Sequence, residues 1–393
     1  MSIAMPCSQR ATAALIVMCA CILFLVVSPW SALAQTETVI YSFLNPPDAF
    51  NPRCNLVVDT AGNMYGSTFS GGANNLGAVF KVTATGTESV LYSFTGGADG
   101  EHPIAGLVRD SKTGNLYGTT VYGGATNNGT VFMVTPSGSE KVLYSFTGGR
   151  DGANPYSSVT LSGANIFGTT INGGLYGYGT VFKLTAKGKE TVLHDFNSAF
   201  PTQDGSYPYA GLVLYKGAFY GTTTLGGVYN LGAVFSITKS GAYSLIYSFQ
   251  GGTADGQNPY SGVAFDTKGN LYGTTYDGGV DNAGTIFVIA KAGGESVIHH
   301  FLRNGVDGIN PYASMILVKK NLYGTTLQGG SANGGTIFEI TPSGVETVLH
   351  TFVGGADGFN PYGALVQGAA NSFYTSTFQG GKSGLGTVIA LVP

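Results

Sequence analysis

One six-residue motif, the phrase Asp-Gly-x-Asn-Pro-Tyr, contains most of the candidate site residues of this chain. Including one variant with Tyr for Asn, it begins at Asp151, Asp204, Asp255, Asp307 and Asp357. It ends at Tyr156, Tyr209, Tyr260, Tyr312 and Tyr362. A carboxylate could ligate a cation and a phenol could recognise a ligand, so these ten residues are the first candidates for a site.

The aspartates allow two interpretations. Asp can hydrogen-bond its own backbone two residues on, Gly supplies positive φ and Pro presets φ, so the phrase can simply be a turn. The alternative is Ca²⁺ ligation by the carboxylate and loop carbonyls. One acid per loop is few ligands, and no Asp-x-Asp-x-Asp-Gly spacing occurs. The sequence therefore favours the turn and predicts no metal and no other cofactor.

The tyrosines also allow two interpretations. An exposed Tyr offers an apolar face and a polar hydroxyl, which suits stacking on a sugar ring. The alternative is packing between repeats. The first two repeats depart from the phrase, with Asn51-Pro52-Arg53 and His102-Pro103-Ile104. Arg53 and His102 could mark a functional sector or be sequence drift, and drift is the simpler explanation.

Signals for an enzyme are weak. Neither a Gly-x-Ser-x-Gly elbow nor a phosphate-binding loop occurs, and no His/Cys cluster has metal-ligand spacing. Three histidines, His194, His299 and His350, share a register with Tyr41, Tyr92, Tyr144 and Tyr247. We interpret them as replacements at a packed strand position.

A second phrase, Tyr-Gly-Thr-Thr in its commonest form, sets the architecture. It recurs at intervals of 50 to 53 residues, starting at Tyr65, Tyr117, Phe167, Tyr220, Tyr272, Tyr323 and Tyr374. A period near 50 made of short strand-like runs indicates a propeller or another β-array. Because one such unit is too small to bury a core alone, the repeats must share one domain.

Each period contains four runs, labelled a to d. In the second repeat they cover residues 105–109, 115–120, 129–135 and 140–146. Gly-containing turns join consecutive runs, which predicts an antiparallel meander. No helical periodicity follows residue 34, so almost no helix is expected.

The number of runs predicts how the domain closes. Runs a to c occur seven times, the last set ending near Leu391, whereas a lone run d, Glu37 to Phe43, precedes the first set. Pairing these ends closes a ring and removes an exposed edge, which an open solenoid would leave. We therefore predict an all-β, seven-bladed β-propeller of four-stranded antiparallel blades, with the N-terminal strand completing the last blade. The d-to-a and b-to-c loops should share one face.

The amino terminus has the pattern of an export signal. A short segment with one positive charge precedes an apolar run at 11–27, and Ser31-Ala32-Leu33-Ala34 supplies small residues before Gln35. We predict a signal peptide at 1–34, cleaved between Ala34 and Gln35, and a single propeller domain at 35–393. The alternative is an uncleaved membrane anchor. The mature chain would keep only Cys54, so no intramolecular disulfide is expected.

Composition limits the partners. Charged residues are 10 % of the chain and the net charge is −3, so no basic stripe indicates nucleic acid and no lysine-rich face indicates an anionic membrane. No later apolar stretch is long enough to span a membrane. A monomer is expected.

Three sequence patterns resemble those of a known repeat family. They are Leu-Tyr-Gly-Thr-Thr, Gly-Gly-x-x-Asn-x-Gly-Thr-Val-Phe-Lys-Val-Thr, and Tyr-Ser-Phe-Thr-Gly-Gly-Ala-Asp-Gly-x-Asn-Pro-Tyr. Over residues 36–391 the chain resembles the GloVer (Gloeobacter/Verrucomicrobia) tandem repeat. The resemblance implies an exported bacterial protein, often anchored through its carboxy terminus, and it carries over no activity and no functional residues. The sequence ends at Ala390-Leu391-Val392-Pro393 without a sorting motif. We therefore expect a free secreted or periplasmic form.

Three functions remain open. The first is a non-enzymatic binding module for glycans or envelope proteins, using the loop face. The second is a hydrolase, lyase or lactonase at the channel mouth, which needs three or four non-repeating polar residues converging on the axis. The third is a structural or assembly role.

Overall fold

A computed structural model describes residues 36–197 and 204–392 of the chain. These described residues belong to one compact unit. The predicted cleavage site at Ala34 and Gln35, with the whole predicted signal peptide, lies outside the described residues.

Seven four-stranded antiparallel sheets follow one another along the chain, as the repeat count predicts. In blades 1 to 3, strands a to d are Val57–Val58, Met64–Thr68, Ala78–Val82 and Glu88–Ser93; Val108–Arg109, Leu116–Thr120, Thr130–Val134 and Glu140–Ser145; and Thr160–Ser162, Asn165–Thr170, Thr180–Thr185 and Glu190–Asp195. In blades 4 and 5 they are Val213–Tyr215, Ala218–Thr223, Ala233–Thr238 and Tyr243–Ser248; and Ala264–Phe265, Leu271–Thr275, Thr285–Ile289 and Glu295–His300. In blades 6 and 7 they are Ile316–Val318, Asn321–Thr326, Thr336–Ile340 and Glu346–Thr351; and Val366–Gln367, Phe373–Thr377, Thr387–Val392 and Thr36–Ser42.

The N-terminal strand closes the ring, which confirms the prediction from the run count. Thr36–Ser42 pairs antiparallel with Thr387–Val392, from Thr36 opposite Val392 to Ser42 opposite Thr387. The Phe43 N–H continues this ladder by donating to the Gly386 carbonyl at 3.0 Å. The strand thereby covers an edge of blade 7 that would otherwise expose unpaired backbone groups.

The two loop families lie side by side on one face of the ring. Short ladders join the d-to-a loop to the b-to-c loop in five blades, pairing Ala49–Phe50 with Ser70–Gly71, Gly205–Ser206 with Leu225–Gly226, Gly256–Gln257 with Asp277–Gly278, Gly308–Ile309 with Gln328–Gly329, and Gly358–Phe359 with Gln379–Gly380. Single bridges, Glu101 to Tyr122 and Ala153 to Asn172, do the same in blades 2 and 3. The helices within the described ranges are two 3₁₀ turns, Gly97–Asp99 and Ala369–Asn371.

The glycine of the Tyr-Gly-Thr-Thr phrase makes room for an aromatic ring on strand c. A Cβ on Gly273 would lie 2.5 Å from Cζ of Phe287, its partner across the ladder. Blade 7 instead has Thr375 opposite Ile389. A smaller aliphatic side chain on strand c therefore accompanies the larger residue on strand b, which explains why this repeat departs from the phrase.

The core consists of clusters that cross blade boundaries. The phenylalanine that ends each run d is fully buried, at Phe43, Phe94, Phe146, Phe196, Phe249, Phe301 and Phe352. Phe43 packs edge-to-face on Phe80 of blade 1, with ring centroids 5.1 Å apart. Such contacts bury large apolar areas and hold each blade on the next. Cys54 is a free, buried thiol.

No helix in the described parts of the chain has the length and apolar character needed to cross a membrane.

Candidate functional site

The last residue of the repeated phrase comes to the same place in every blade. These residues, here called the tyrosine ring, are Arg53, Ile104, Tyr156, Tyr209, Tyr260, Tyr312 and Tyr362. They line one cavity although they come from all seven repeats, so this cavity lies on the axis of the propeller. Each residue directly precedes the segment that enters strand a, the strand nearest the axis.

Consecutive members of the tyrosine ring touch one another. Ring centroids lie 5.2 Å apart from Tyr156 to Tyr209, 5.1 Å from Tyr209 to Tyr260, 5.3 Å from Tyr260 to Tyr312 and 5.2 Å from Tyr312 to Tyr362. Three of these pairs are edge-to-face and the Tyr260–Tyr312 pair is stacked. All five side chains are neither buried nor fully exposed. The sequence allowed either packing between repeats or exposure to a ligand. In the structure the same tyrosines do both, because they pack on one another and keep part of their surface exposed.

Arg53 completes this aromatic series from the other end of the chain. Its guanidinium carbon lies 4.9 Å from the Tyr362 ring, 4.5 Å from Phe378 and 5.2 Å from Phe69. Its Nε is buried without a hydrogen-bond partner. A cation held among three aromatic faces is stabilised by their quadrupoles, and its remaining N–H groups are free to donate to a ligand.

The axial cavity is small and has a partly polar lining. Its volume is about 90 Å³. Besides the tyrosine ring, its polar lining consists of Asn55, Ser158, Ser261 and Ser314. Within the described part of the chain, no carboxylate and no imidazole lines it. Such a mouth can bind a sugar edge or a small polar group through hydroxyl and guanidinium donors.

Burial raises the pKa of four hydroxyls in the ring, those of Tyr156, Tyr209, Tyr260 and Tyr312. Burial and the neighbouring Tyr122 and Tyr209 raise the pKa of Tyr156 to about 12, while Arg53 acts in the opposite direction. The pKa of Tyr260 is also raised, chiefly by burial. These phenols are therefore hydrogen-bond donors throughout the physiological pH range.

A larger depression of about 560 Å³ lies away from the axis, between blades 2 and 3. Tyr117, Met133 and Leu161 line it together with Lys141 and Lys187. Its residues come from two blades, whereas the axial site joins all seven.

The five aspartates of the phrase lie at the junctions between blades and not among the residues of the axial cavity. In each junction the Asp accepts a hydrogen bond from a backbone N–H just beyond strand d, as Asp151 does from Thr147 at 2.8 Å. Asp151 also accepts from the hydroxyl of Tyr144 on strand d at 2.9 Å, and Asp255 from Tyr247 at 2.9 Å. Asp204 instead meets His194 at 2.7 Å. The phrase therefore has a structural role, because it pins the d-to-a loop to the end of strand d. The predicted turn is wrong in detail: these backbone donors precede the Asp by four to seven residues, and among the glycines of the five phrases only Gly152 has positive φ.

A second carboxyl approaches each of several aspartates from the next blade. Burial, followed by the charge of Asp99, raises the pKa of Glu140 to about 7. Burial and Asp48 raise the pKa of Glu88 to about 8. These glutamates begin strand d, and sequence spacing does not indicate them because their partners lie about 40 residues away.

His102 has a structural role. Its Nδ1 donates to the Phe69 carbonyl at 2.7 Å, and its ring stacks on Phe69 with centroids 4.4 Å apart. Asn154 holds the equivalent Val121 carbonyl at 2.9 Å in the next blade. Both residues have positive φ, 54° and 53°, which Asn and His tolerate better than most side chains. His102 thus replaces Asn in the link between blades and supports the drift interpretation at this position.

Two junctions gather a His, an Asp and a Glu that could hold a metal ion. One group is His299, Asp307 and Glu346, and the other is Glu37, His350 and Asp357. In each group the candidate ligand atoms all lie within 4.8 Å of one another. Sequence spacing did not indicate them because each group combines two blades.

Comparison with solved structures supports the architecture. The extracellular domain of a protein named as a one-component system, BT4673, from B. thetaiotaomicron matches 90 % of this chain and 39 % of its own length, with 11 % identity and a TM-score of 0.55. The extracellular domain of a protein named as a hybrid two-component system, BT3049, from the same organism matches 87 % and 40 %, with 14 % identity and a TM-score of 0.52. The chain therefore spans about two fifths of the length of these proteins. A Bacteroides fragilis protein named as a 6-phosphogluconolactonase, BF1038, matches 84 % and 97 %, with 17 % identity and a TM-score of 0.48. At these identities the likeness to the two extracellular domains shows the fold alone.

Sequence comparisons give one family. No curated protein matches the chain. A family model described as the Gloeobacter/Verrucomicrobia repeat matches residues 31–200 and 162–389.

Proposed function

The chain belongs to the Gloeobacter/Verrucomicrobia repeat family, and we propose that it is an exported, non-enzymatic binding module that takes a glycan of the cell envelope at the tyrosine ring. The observation that carries the proposal is the convergence of five half-exposed tyrosines and Arg53 around one axial mouth. Tyrosines combine an apolar face with a hydroxyl donor, which is the combination that a sugar ring requires.

The packing of the ring favours binding because it prepares the site in advance. Each tyrosine is held by its neighbours, and Tyr260 and Tyr362 are also backed by Tyr276 and Phe378 at 5.3 and 5.5 Å. A ligand would therefore order few side chains, which lowers the entropic cost of association. The small cavity admits only the terminal group of a glycan.

The enzymatic alternative receives less support from the lining of the axial cavity. Hydrolysis or lactone opening needs a base, an acid or a metal positioned at the reacting bond. The polar groups at the mouth are hydroxyls, one amide and one guanidinium among the residues described. A structural role would not require the tyrosines to remain half-exposed.

Export is supported by the leader-like pattern at 1–34. The two extracellular domains that share the fold belong to proteins named as a one-component system and a hybrid two-component system. We place the protein outside the cytoplasm, secreted or periplasmic.

The test is binding of the full-length protein to a bacterial glycan array, followed by titration of the best glycan. Tyr260→Ala combined with Tyr312→Ala removes two aromatic contacts of about 1 kcal/mol each, so the Kd should rise about 30-fold. Tyr229→Ala is the matched control, because Tyr229 is 53 % exposed and lies in a b-to-c loop outside the ring.

Two results would contradict the proposal. One is the absence of any binding glycan on the array. The other is an equal loss of affinity in the Tyr229 control and in the ring variant when both melt like the wild type.

A further inference from the structure

Six of the seven blade junctions combine a Tyr or His with an Asp and a Glu, and four of these six contain tyrosine. There the hydroxyl of Tyr41, Tyr92, Tyr144 or Tyr247 donates to the Asp of the following loop at 2.8 to 2.9 Å. A glutamate that begins strand d of the next blade lies against the same Asp. The tyrosine supplies the proton donor that a buried carboxylate needs.

The junction between blades 5 and 6 lacks that donor. His299 occupies the tyrosine position, and its Nε2 makes no hydrogen bond. Oδ1 of Asp307 and Oε1 of Glu346 are also buried without hydrogen-bond partners. Asp307 keeps only 7 % of its side-chain surface exposed. Three polar atoms of this junction are therefore unpartnered in a place where an unmatched polar group is costly. One candidate ligand atom from each of the three residues lies within 4.8 Å of the other two.

The rest of Asp307 is firmly positioned. Its Oδ2 accepts the Leu302 N–H at 2.9 Å, and its own N–H donates to the Asn304 side chain at 2.8 Å. The imidazole of His299 packs edge-to-face on buried Phe301 with centroids 4.8 Å apart. The side chains of His299 and Asp307 in blade 5 are thus held in place by the protein alone.

The spacing of these atoms suits a small divalent ion. Nε2 of His299 and Oδ2 of Asp307 are 3.5 Å apart. Tetrahedral ligands at about 2.0–2.1 Å from Zn²⁺ stand roughly 3.4 Å from one another. Ca²⁺ requires six to eight oxygen ligands at longer distances, and an imidazole does not suit it.

We propose that His299, Asp307 and Glu346 bind one zinc ion, which bridges blades 5 and 6, with water as the fourth ligand. His299 and Asp307 come from strand d of blade 5 and its following loop, whereas Glu346 comes from strand d of blade 6. A zinc ion here joins neighbouring blades as a structural crosslink. His299 retains 16 % of its side-chain surface exposed, which gives the ion access from solvent.

The experiment uses the full chain, stripped with EDTA and dialysed against 10-fold molar ZnCl₂ and then against metal-free buffer at pH 7.5. Bound zinc is measured by elemental analysis, and melting is followed with and without zinc. His299→Tyr is the main variant, because tyrosine is the native residue at four equivalent junctions and should fold there. Glu346→Gln is the second variant and keeps the shape of the side chain.

The expected result is that His299→Tyr and Glu346→Gln each bind one zinc ion fewer per chain than the wild type. The zinc-dependent rise in the wild-type melting temperature should shrink in both variants, while their melting without zinc stays close to that of the wild type. The difference of one ion tests this junction even if the His350 junction also binds zinc. The proposal is overturned if the stripped wild type retains no zinc, or if both folded variants retain as much as the wild type.

Discussion

Removing the Phe43 side chain tests ring closure directly. Phe43 follows the N-terminal strand, is fully buried and contacts Phe80 and Tyr41 at centroid distances of 5.1 and 5.3 Å. Phe43→Ala deletes a buried ring and leaves a cavity, which typically costs about 3–5 kcal/mol. If the N-terminal strand lay free of the propeller, the same change would cost almost nothing.

The loss can be converted to a melting temperature. Unfolding entropy is about 2.1 cal/mol/K per residue, or about 0.7 kcal/mol/K for a domain of about 350 residues that melts cooperatively. The Tm of Phe43→Ala should therefore fall by about 4–7 °C. Differential scanning calorimetry measures both the Tm and whether one transition is present.

Leu44→Ala is the matched control for this experiment. Leu44 is the next residue but is 47 % exposed, so its truncation should shift the Tm by less than about 1 °C. Equal melting temperatures for the Phe43 and Leu44 variants would refute the packing of the N-terminal strand in the ring.

Two further predictions concern the ends of the chain and the carboxyl pairs. Thr38 and Ala390 are opposite each other in the closing ladder, so the Thr38→Cys/Ala390→Cys variant should form a disulfide on mild oxidation. Mass spectrometry would detect the disulfide as a linked peptide. Recovery of the reduced peptides alone would argue against ring closure. The raised pKa of Glu140, about 7 through burial and Asp99, favours the protonated form in the folded state, whereas the unfolded chain ionises near pH 4.5. This contribution to stability is complete below pH 4.5 and is lost as pH rises through 7, so urea unfolding should give a smaller free energy at pH 8 than at pH 5. Glu140→Gln should reduce that loss by roughly 1 kcal/mol, allowing for the partial exposure of the carboxyl, and an unchanged pH dependence would contradict the shift.

Much of the architecture could be predicted because it is repeated locally. Tyr65-Gly66-Ser67-Thr68 and its six counterparts mark one strand per blade. The lone run before the first repeat predicts that the N-terminal strand completes the last blade. A structural role for Asp151 could also be predicted, although its partners Thr147 and Tyr144 lie four and seven residues before it and not two residues after it. Interactions of this range depend only on the conformation of one blade.

The site was predicted only in part. The five tyrosines share a register, so their convergence follows from the ring, but their mutual contact and half-exposure depend on the rotation from one blade to the next. Arg53 was a candidate because it breaks the phrase, yet its place against Tyr362 requires two residues 309 positions apart to meet at the closed seam. His102 broke the phrase in the same way and proved to be a link between blades.

By itself, the sequence determined the number of blades, the order of strands and the face on which the repeated loops lie, because each depends on a pattern within one period. Only the tertiary structure decided which side chains meet between periods: Arg53 with the tyrosine ring, the strand d glutamates with the aspartates, and His299 with Asp307 and Glu346. The physical reason is that packing between blades sets the rotation of one sheet against the next. That rotation results from many buried contacts together and from no single phrase.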